Sequence, residues 1–242
     1  MSKDKNSLRI AVDIGGTFTD MACFDESSGK IKFGKALSTH GHLHEGIQNT
    51  LDGAGIDLTN GYLFLHGSTI AINTLLERNG AKTALLITEG FRDIYEIGRV
   101  NRPDAYNLFF SKHQPLVPRS LRYEVTERLR ADGSLHKKLD EEAVRQLAKE
   151  LKAQHVEAVA VLLLHSYRNP DHERRVKAIL QEEMPNAFVT ASHELSQEYR
   201  EFERVSTAVA NAYVGPRVSE YLGELQEHLG DKGFKGDFYA VQ

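Results

Sequence analysis

The sequence predicts an α/β protein built around a mixed β-sheet. Three strand patterns follow one another at the start of the chain, and helical and strand patterns alternate after them. The run Ala158–Leu164 is apolar throughout, as expected for a strand that is covered on both faces of its sheet. Strands joined by short turns pair antiparallel, whereas strands joined through helices pair parallel, so the two patterns together indicate a mixed sheet.

The opening strands are predicted over Leu8–Asp13, Thr19–Phe24 and Lys30–Ala36. Ser27-Ser28-Gly29 supplies the second turn, because these residue types favour turn conformations. Apolar side chains then recur at helical spacing between Leu43 and Ala54, which predicts a helix.

The next elements are a short strand over Tyr62–His66, a helix from about Ser68 to Arg78, and a buried strand over Lys82–Thr88. From about Gly90 to Leu139 the periodicity fades, and charged and turn residues dominate. This stretch is predicted to be an insertion or a small subdomain.

Regular patterns return with a helix from Asp140, whose first turn places acidic residues at the positive end of the helix dipole. After the apolar strand, Asn169-Pro170 supplies a cap and a first residue for another helix. A short strand over Ala187–Thr190 follows. The amphipathic stretch Glu201–Leu229 then predicts a long helix, kinked near Pro216.

Residues 1–200 are predicted to form one lobe, with residues 90–139 as a less regular insertion. Residues 201–242 are predicted to form the long helix and the first strand of a second lobe that the chain lacks. The sequence ends one residue after the strand-like run Asp237–Val241. We therefore expect either a fragment or a chain whose sheet is completed by a partner. By analogy of element order, the lobe is expected to be ribonuclease-H-like, as in actin-like ATPases and sugar kinases.

Composition and charge argue against several classes of protein. The net charge is −4 and basic residues are scattered among acidic ones, so no nucleic acid partner is expected. The longest apolar run is strand-sized and Met1–Ser7 lacks an apolar core, so neither a membrane span nor a signal peptide is expected. The single Cys23 is expected to pack in a strand, and it fits a reducing, cytoplasmic location.

The first candidate site is the link between the first two strands, Asp13-Ile14-Gly15-Gly16-Thr17-Phe18-Thr19-Asp20. It lies between two strands and lacks Gly-Lys-Ser/Thr, so it is neither a Walker loop nor a Rossmann fingerprint. Gly15 and Gly16 allow a tight turn that brings backbone N–H groups close to an anion. Thr17 and Thr19 add hydroxyl donors. The segment therefore favours phosphate binding over a turn without a ligand.

The two carboxylates of this hairpin are candidates for the cation that accompanies a phosphate. Asp13 can hold Mg²⁺ through water, and Asp20 can do the same or can simply lock the turn. Many sugar kinases share this motif, so it indicates a superfamily rather than a reaction.

The second candidate site is His66-Gly67-Ser68-Thr69, at a strand-to-helix junction. Ser68 or Thr69 can cap the helix, whose free amides then face a ligand at the edge of the sheet. His66 can transfer protons there. The alternative is that His66 is a core histidine and Thr69 only a cap.

The third candidate is the polar loop that contains Glu96, Arg99, Asn101 and Asp104. Its arginines can grip a carboxylate or a phosphate through two parallel hydrogen bonds. The alternative is a solvated loop of surface ion pairs.

Together, these motifs closely resemble the N-terminal region of the hydantoinase A/5-oxoprolinase family. The resemblance runs from Leu8 to about Leu229, and further matching segments keep their order. The segments that carry it are Asp13–Asp20, His66–Arg78, Gly90–Asp104, Leu164–Pro170, Glu201–Thr207 and Asn211–Tyr213.

The resemblance implies an ATP-dependent enzyme of the actin-like fold that uses Mg²⁺. In the hydrolase branch, ATP phosphorylates an amide oxygen of a cyclic amide such as a hydantoin or 5-oxoproline, and water then opens the ring. In the related acetone or acetophenone carboxylase subunits, a ketone and bicarbonate are activated instead. Ile14 and Phe18 favour the hydantoinase or acetophenone-carboxylase side.

The resemblance also implies roles for particular residues. Catalysis is assigned to His66, Thr69, Glu96, Arg99, Asn101 and Asp104. Cofactor binding is assigned to Asp13, Gly15, Gly16, Thr17, Thr19 and Asp20, with Asp13 also the metal residue.

The expected partners are a hydantoinase B-like subunit or domain and a small cyclic amide, with a homo-oligomer as a further alternative. Family members are longer, and their later part supplies a second phosphate loop and the nucleotide-base pocket. The isolated chain is therefore expected to be inactive. Two other functions stay open: a non-catalytic fragment that acts in assembly, and a sugar kinase, against which the Glu96–Asp104 loop argues.

The sequence contains three weaker candidate sites. His40-x-His42-x-His44 has histidines at alternate positions but no clear carboxylate partner for a metal. His165 and Tyr167 follow a buried strand, at the edge where open α/β sheets bind ligands. Glu201, Glu203 and Arg204 begin the long helix and can form a surface network.

Overall fold

A computed structural model describes residues 7–39, 43–99, 104, 106–110 and 114–241. The chain divides into two compact units. The first unit comprises Met1–Leu76 and Val218–Gln242, and the second comprises Glu77–Arg217.

The predicted helices and strands are all present, most within two residues at each end. Five short elements were not predicted: Ile94–Ile97, Arg122–Val125, Arg128–Leu129, Leu135–Lys137 and Ser192–Leu195. Short 3₁₀ helices over Leu58–Asn60 and Arg119–Leu121 add to them. In chain order, the elements are β1 (Leu8–Ile14), β2 (Phe18–Asp25), β3 (Lys30–Leu37), α1 (Leu43–Gly53), β4 (Gly61–Ser68), α2 (Ile70–Glu77), β5 (Thr83–Thr88), α3 (Ile94–Ile97), β6 (Arg122–Val125), β7 (Arg128–Leu129), β8 (Leu135–Lys137), α4 (Glu141–Ala153), β9 (Ala158–Leu162), α5 (Asp171–Glu183), β10 (Phe188–Ala191), α6 (Ser192–Leu195), α7 (Glu201–Asp231) and β11 (Asp237–Val241).

The first unit contains a five-stranded sheet in the order β11-β4-β1-β2-β3. The meander β1-β2-β3 pairs antiparallel, whereas β4 and β11 run parallel to β1, so the predicted mixed sheet is confirmed. One face is buried by α1 and the last turns of α7, through contacts that include Ile10, Val12, Ile47 and Leu225. The free-thiol Cys23 is buried in the same core, as predicted.

The second unit contains a parallel four-stranded sheet in the order β10-β9-β5-β6. Every residue of β9 is buried. Val159 and Val161 face the core formed with α4 and α5, while Ala160 and Leu162 face the core formed with the first turns of α7. The apolar run therefore has the two-sided burial that its composition predicted.

The division of the chain differs from the predicted boundary at residue 200. The chain leaves the first unit after Leu76 and re-enters it at Val218, inside α7, one residue after Arg217. Within the stretch 90–139, β6 joins the second sheet beside β5. Likewise, β11 joins the first sheet beside β4, at its edge. Local periodicity reports the type of an element but not the sheet it joins, which explains the difference. The second lobe stays a prediction about a longer protein.

Helix α7 runs through Pro216 without a break in its assignment, although proline removes one helical hydrogen bond. Within the described residues, no helix is both long enough and apolar enough to cross a membrane.

The buried carboxylate of Glu173, on α5, joins three elements at one end of the second sheet. It accepts hydrogen bonds from the backbone N–H of Leu163 (2.8 Å), the hydroxyl of Ser192 (2.7 Å) and the backbone N–H of His193 (2.9 Å), and it lies 2.7 Å from His193 Nδ1. Burial alone would raise the pKa of the Glu173 carboxyl, but these hydrogen bonds hold it below its ordinary value.

We expect Glu173→Gln to lower the free energy of unfolding of the second unit by about 3 kcal/mol, because the amide keeps the size but loses the charge and half of the acceptors. Urea titration, monitored through hydrogen exchange at the Leu163 and His193 amides, measures this change in the free energy of unfolding. Glu150→Gln, an exposed change on α4, is the matched control. An equal loss in both variants would contradict the assigned role.

The pH dependence provides a second readout of the same group. Because the folded pKa of Glu173 is lowered, its contribution to stability is complete above the unfolded pKa of about 4.3 and is lost as the pH falls through the folded value. Glu173→Gln should therefore flatten the acid limb of the stability curve.

Candidate functional site

Asp13 lies near the end of β1, between two strands that are in register with it. Its neighbour on β2 is Asp20, and its neighbour on β4 is Gly67. Side chains alternate between the faces of a strand, so Asp13 and Asp20 share the face opposite to the buried core. Both are exposed. The first two strands thus place two carboxylates side by side on an open surface.

Gly67 makes room for the Asp13 carboxylate. A Cβ atom at Gly67 would lie 2.6 Å from Oδ1 of Asp13, so any larger residue would push the carboxylate away. This requirement joins two segments that are far apart in the sequence, and no local pattern reveals it.

The loop between β1 and β2 is closed by one hydrogen bond, from the N–H of Gly15 to the carbonyl of Phe18 at 2.9 Å. Neither Gly15 nor Gly16 has a positive φ, so the turn does not use the left-handed freedom of glycine. A Cβ atom at Gly16 would meet nothing within 4 Å. Among the described residues, no acceptor is found for the N–H groups of Gly16 and Thr17. The loop therefore presents two free donors beside open space.

Thr17 and Thr19, both predicted as donors, have different surroundings. Thr17 is exposed, whereas Thr19 is fully buried, and its hydroxyl lies 3.2 Å from that of Ser38. Ser38 in turn donates to the carbonyl of Gly15 at 2.9 Å. The structure thus gives Thr19 an anchoring position rather than a ligand-facing one. The sequence contains the signal, because Thr19 shares its strand face with Met21 and Cys23.

Ser38 and Lys35 are residues of this region that the sequence did not single out. Lys35 donates to both carboxylate oxygens of Asp20, at 2.8 and 3.1 Å, and lies over the ring of Phe18. Asp20 on β2 and Lys35 on β3 are directly paired, so the register of the meander brings the two side chains together.

Thr69 lies next to the hairpin. Its hydroxyl is 3.4 Å from the carbonyl of Ile14, and the amide of Asn73, one turn into α2, donates to it at 3.2 Å. Ser68 Oγ accepts from the N–H of Ile70 at 3.3 Å. The junction is thus capped locally, as predicted, and Thr69 connects it to the end of β1.

His66 faces away from this surface. It is fully buried on the core face of β4, with Nε2 2.6 Å from the hydroxyl of Tyr221 on α7. Burial lowers the pKa of His66 and raises that of Tyr221, so both are neutral near pH 7. This placement corresponds to the core-histidine alternative.

A cavity of about 620 Å³ opens on the exposed face of the first sheet. Its polar rim is formed by Asp13, Asp20 and Lys35, and its apolar part by residues that include Phe33 and Leu65. Two carboxylates and one lysine leave this rim with one net negative charge, so an anionic ligand would bind there together with a cation.

The loop residues Glu96, Arg99 and Asp104 belong to the second unit. Glu96 accepts a hydrogen bond from the buried guanidinium of Arg122 at 2.9 Å, and Arg99 pairs with Glu203 on α7. Asp104 is exposed. Asn101 lies outside the described residues. Two of the predicted catalytic side chains are therefore held in ion pairs. Glu203 forms a surface ion pair at the start of α7, as predicted, whereas Arg204, predicted for the same surface network, is fully buried.

No cluster of three or more potential metal ligands is found among the described residues. His40 and His42, together with the side chain of His44, lie outside them. Asp13 and Asp20 are a pair of carboxylates, which is the number that Mg²⁺ commonly takes from a protein when phosphates and water complete its shell.

The fold and the site define an α/β protein with a β-hairpin whose two carboxylates lie on the exposed face of the first sheet. Comparison with known families then gives the family itself. The chain belongs to the family described as hydantoinase/oxoprolinase N-terminal region, which it matches over residues 9–184.

Two relatives illustrate the range of this family. The chain is 41% identical over 97% of its length to the uncharacterized protein MJ0964 of Methanocaldococcus jannaschii, of which it covers 35%. It is 34% identical over 93% of its length to the caprolactamase subunit alpha of Pseudomonas jessenii, of which it covers 34%. The chain thus spans about a third of the length of these curated relatives.

Solved structures agree with the sequence comparison. The crystal structure of the ATP-dependent caprolactamase from Pseudomonas jessenii matches 97% of this chain and 35% of that one, with a TM-score of 0.86 and 33% identity. The nucleotide-free structure of acetone carboxylase, from a study of ATP-dependent acetone carboxylation, matches 97% of this chain and 36% of that one, with a TM-score of 0.83 and 29% identity.

The two threonines of the hairpin give a matched test of the site. We expect Thr19→Val to lower the free energy of unfolding by about 1 kcal/mol, because it removes the buried hydrogen bond to Ser38. Thr17→Val should leave stability unchanged, since Thr17 is exposed. Thermal and urea unfolding measure both variants. Equal stabilities of the two variants would be inconsistent with the anchoring position of Thr19.

Proposed function

We propose that this chain forms the phosphate-binding part of the ATP site in an ATP-dependent hydrolase of cyclic amides. The free N–H groups of Gly16 and Thr17 beside open space, with Asp13 and Asp20 exposed next to them, carry the proposal. Backbone donors without acceptors suit the oxygens of a phosphate, and the neighbouring carboxylates suit the cation that accompanies it.

The residues fit Mg²⁺ and ATP in complementary ways. Asp13 and Asp20 would hold the cation, directly or through water, and Lys35 offsets the charge of Asp20 before the cation arrives. Gly16 and Thr17 would hold a phosphate through their amides and the Thr17 hydroxyl. Bound nucleotide supplies a phosphoryl group, which converts a poorly reactive amide into a better electrophile. The cavity beside the hairpin gives room for the rest of the ligand.

The predicted catalytic residues fall into two groups under this proposal. Thr69 belongs with the hairpin, because its hydroxyl lies at the end of β1. His66 serves as a packing residue rather than in proton transfer, because its ring is buried against Tyr221 on the opposite face. Glu96, Arg99, Asn101 and Asp104 are proposed to contact the substrate, with ion pairs to Arg122 and Glu203 positioning the first two.

A ketone carboxylase subunit is the second candidate, because the chain also resembles acetone carboxylase. The hydrolase is preferred because the caprolactamase has the higher sequence identity and TM-score, and caprolactam is itself a cyclic amide. A small cyclic amide is therefore the proposed substrate.

A hydantoinase B-like subunit or domain is the proposed partner, since the caprolactamase relative is named as one subunit of its enzyme. A cytoplasmic location is proposed on the single free Cys23.

Gly16→Ala tests the phosphate site without disturbing the fold. The added methyl group meets nothing in the protein, so the urea midpoint should stay unchanged. It would occupy the space assigned to phosphate, so we expect the affinity for Mg²⁺-ATP to fall by about tenfold, the loss of about one charge-assisted hydrogen bond. Calorimetry or fluorescence with a labelled nucleotide measures the change.

Gly223→Ala is the control, because its methyl group also meets nothing within 4 Å and it lies on α7 in the same unit. Nucleotide binding that is unaltered by Gly16→Ala would rule out phosphate at the hairpin.

The reaction itself is tested with the complete enzyme. Phosphate release should be stimulated by a hydantoin, 5-oxoproline or caprolactam. Stimulation only by a ketone with bicarbonate would select the carboxylase, and the chain of residues 1–242 alone should show no multiple turnover in either assay.

A further inference from the structure

A second cavity, of about 590 Å³, lies in the second unit at the carboxyl ends of its parallel strands. Strand β6 is added on one side of β5, whereas β9 and β10 are added on the other side. The order in which the chain adds strands to the sheet therefore reverses between β5 and β9. Ligands of open α/β sheets bind outside the carboxyl ends of the strands at such a reversal. His165 lies three residues after β9 and lines this cavity.

The backbone of His165 is held in a conformation that few side chains adopt. Its φ is 61°, in the left-handed region. Neighbouring bonds fix the segment before it: the N–H of Leu164 donates to the hydroxyl of Thr88 at 2.9 Å, and the buried guanidinium of Arg204 donates to the carbonyl of Leu163 at 3.0 Å. Arg204 also donates to the hydroxyl of Ser166 at 2.8 Å. Strained backbone that is tied down on both sides is typical of functional positions.

The imidazole of His165 has unused hydrogen-bonding capacity. Its Nδ1 atom is buried and has no partner among the described residues. Burial lowers the pKa of His165, so the ring is neutral near pH 7 and offers one donor and one acceptor. Buried polar atoms without partners are rare, and they mark positions where a ligand or water completes the bonding.

The charges around the cavity do not cancel. Its lining includes three cationic side chains and two carboxylates. Lys137 pairs with Glu89 at 2.7 Å, and the buried Glu127 is bonded by Thr88 and lies 2.7 Å from His172 Nδ1.

The two arginines of the lining are the cations that remain. The guanidinium of Arg128 lies over the ring of Phe91, and that of Arg130 contacts the carbonyl of Leu135 and the ring of His136. Neither lies within ion-pair distance of a described carboxylate, although hydrogen bonds from Ser134 and the charge of Arg130 lower the pKa of Asp132. The cavity therefore carries one net positive charge and two guanidinium groups available for an anion.

We propose that this cavity binds a small organic monocarboxylate, with Arg128 and Arg130 holding the carboxylate and the neutral imidazole of His165 as a further hydrogen-bond donor to it. A guanidinium matches a carboxylate through two parallel hydrogen bonds. A dianion such as phosphate is less suitable, because Glu89 and Glu127 lie in the same lining. The proposal does not depend on nucleotide binding in the first unit.

The test is an NMR titration of the chain with its histidine rings labelled, at constant ionic strength. Sodium propionate is the probe, propionamide is its uncharged counterpart, and inorganic phosphate is the competing anion. The His165 signal is assigned as the one missing in His165→Asn, because asparagine tolerates the left-handed conformation.

We expect propionate to shift the His165 signal saturably and propionamide to leave it unchanged. Arg128→Gln should weaken the apparent affinity by about tenfold, as should Arg130→Gln, whose exposed position avoids any effect on folding. Arg174→Gln, an exposed arginine on α5 outside the lining, should bind propionate normally. A shift that does not saturate, equal affinity in all three variants, or tighter binding of phosphate would each overturn the proposal.

Discussion

The register of β1 between β2 and β4 is the constraint on which the first unit depends. It sets Val12 against Met21 and His66 on one face, and Asp13 against Asp20 and Gly67 on the other. A shift by one residue would bring the carboxylate of Asp13 into the core and expose the valine, at a cost that no surface interaction recovers. The hydrophobic effect therefore fixes the position of the carboxylates, although it acts on the opposite side of the sheet.

In the second unit, polar interactions fix the positions of the loop residues, whereas strand register fixes them in the first unit. The central strands of the second unit, β5 and β9, are buried on both faces, so polar side chains are placed beyond the ends of the strands. There, Glu173 and Glu127 each collect hydrogen bonds from several segments. Buried carboxylates with this many partners fix loop conformations more strictly than apolar packing does, because leaving one donor unsatisfied is costly.

Much of the fold was predictable, for a physical reason. The elements depend on local periodicity, so the meander, the long helix α7 and the covered strand β9 all follow from residues close in sequence. The two-unit division is not local, because α2 and α7 carry the chain out of the first unit and back into it across about 140 residues. Strand order across that distance leaves no signature in a single sequence.

The same distinction between local and long-range information applies to the residues of the candidate site. Asp13, Gly16, Thr17 and Asp20 could be selected from their types and spacing, because one hairpin holds them together. Alternation along β2 and β4 would have assigned Thr19 and His66 to the core, since each shares its face with apolar neighbours. By contrast, the clash between a side chain at position 67 and Asp13 requires the parallel pairing of β1 with β4. Tertiary proximity of this kind becomes visible only in three dimensions.

The open space beside Gly16 has a consequence for the natural variation of this hairpin. Folding does not require glycine there, since neither its backbone angle nor its surroundings exclude a methyl group. Genetic drift alone would thus be free to replace it. Its retention in a homologous chain would record selection for a ligand, and its replacement would mark a lineage in which the hairpin survives only as a turn.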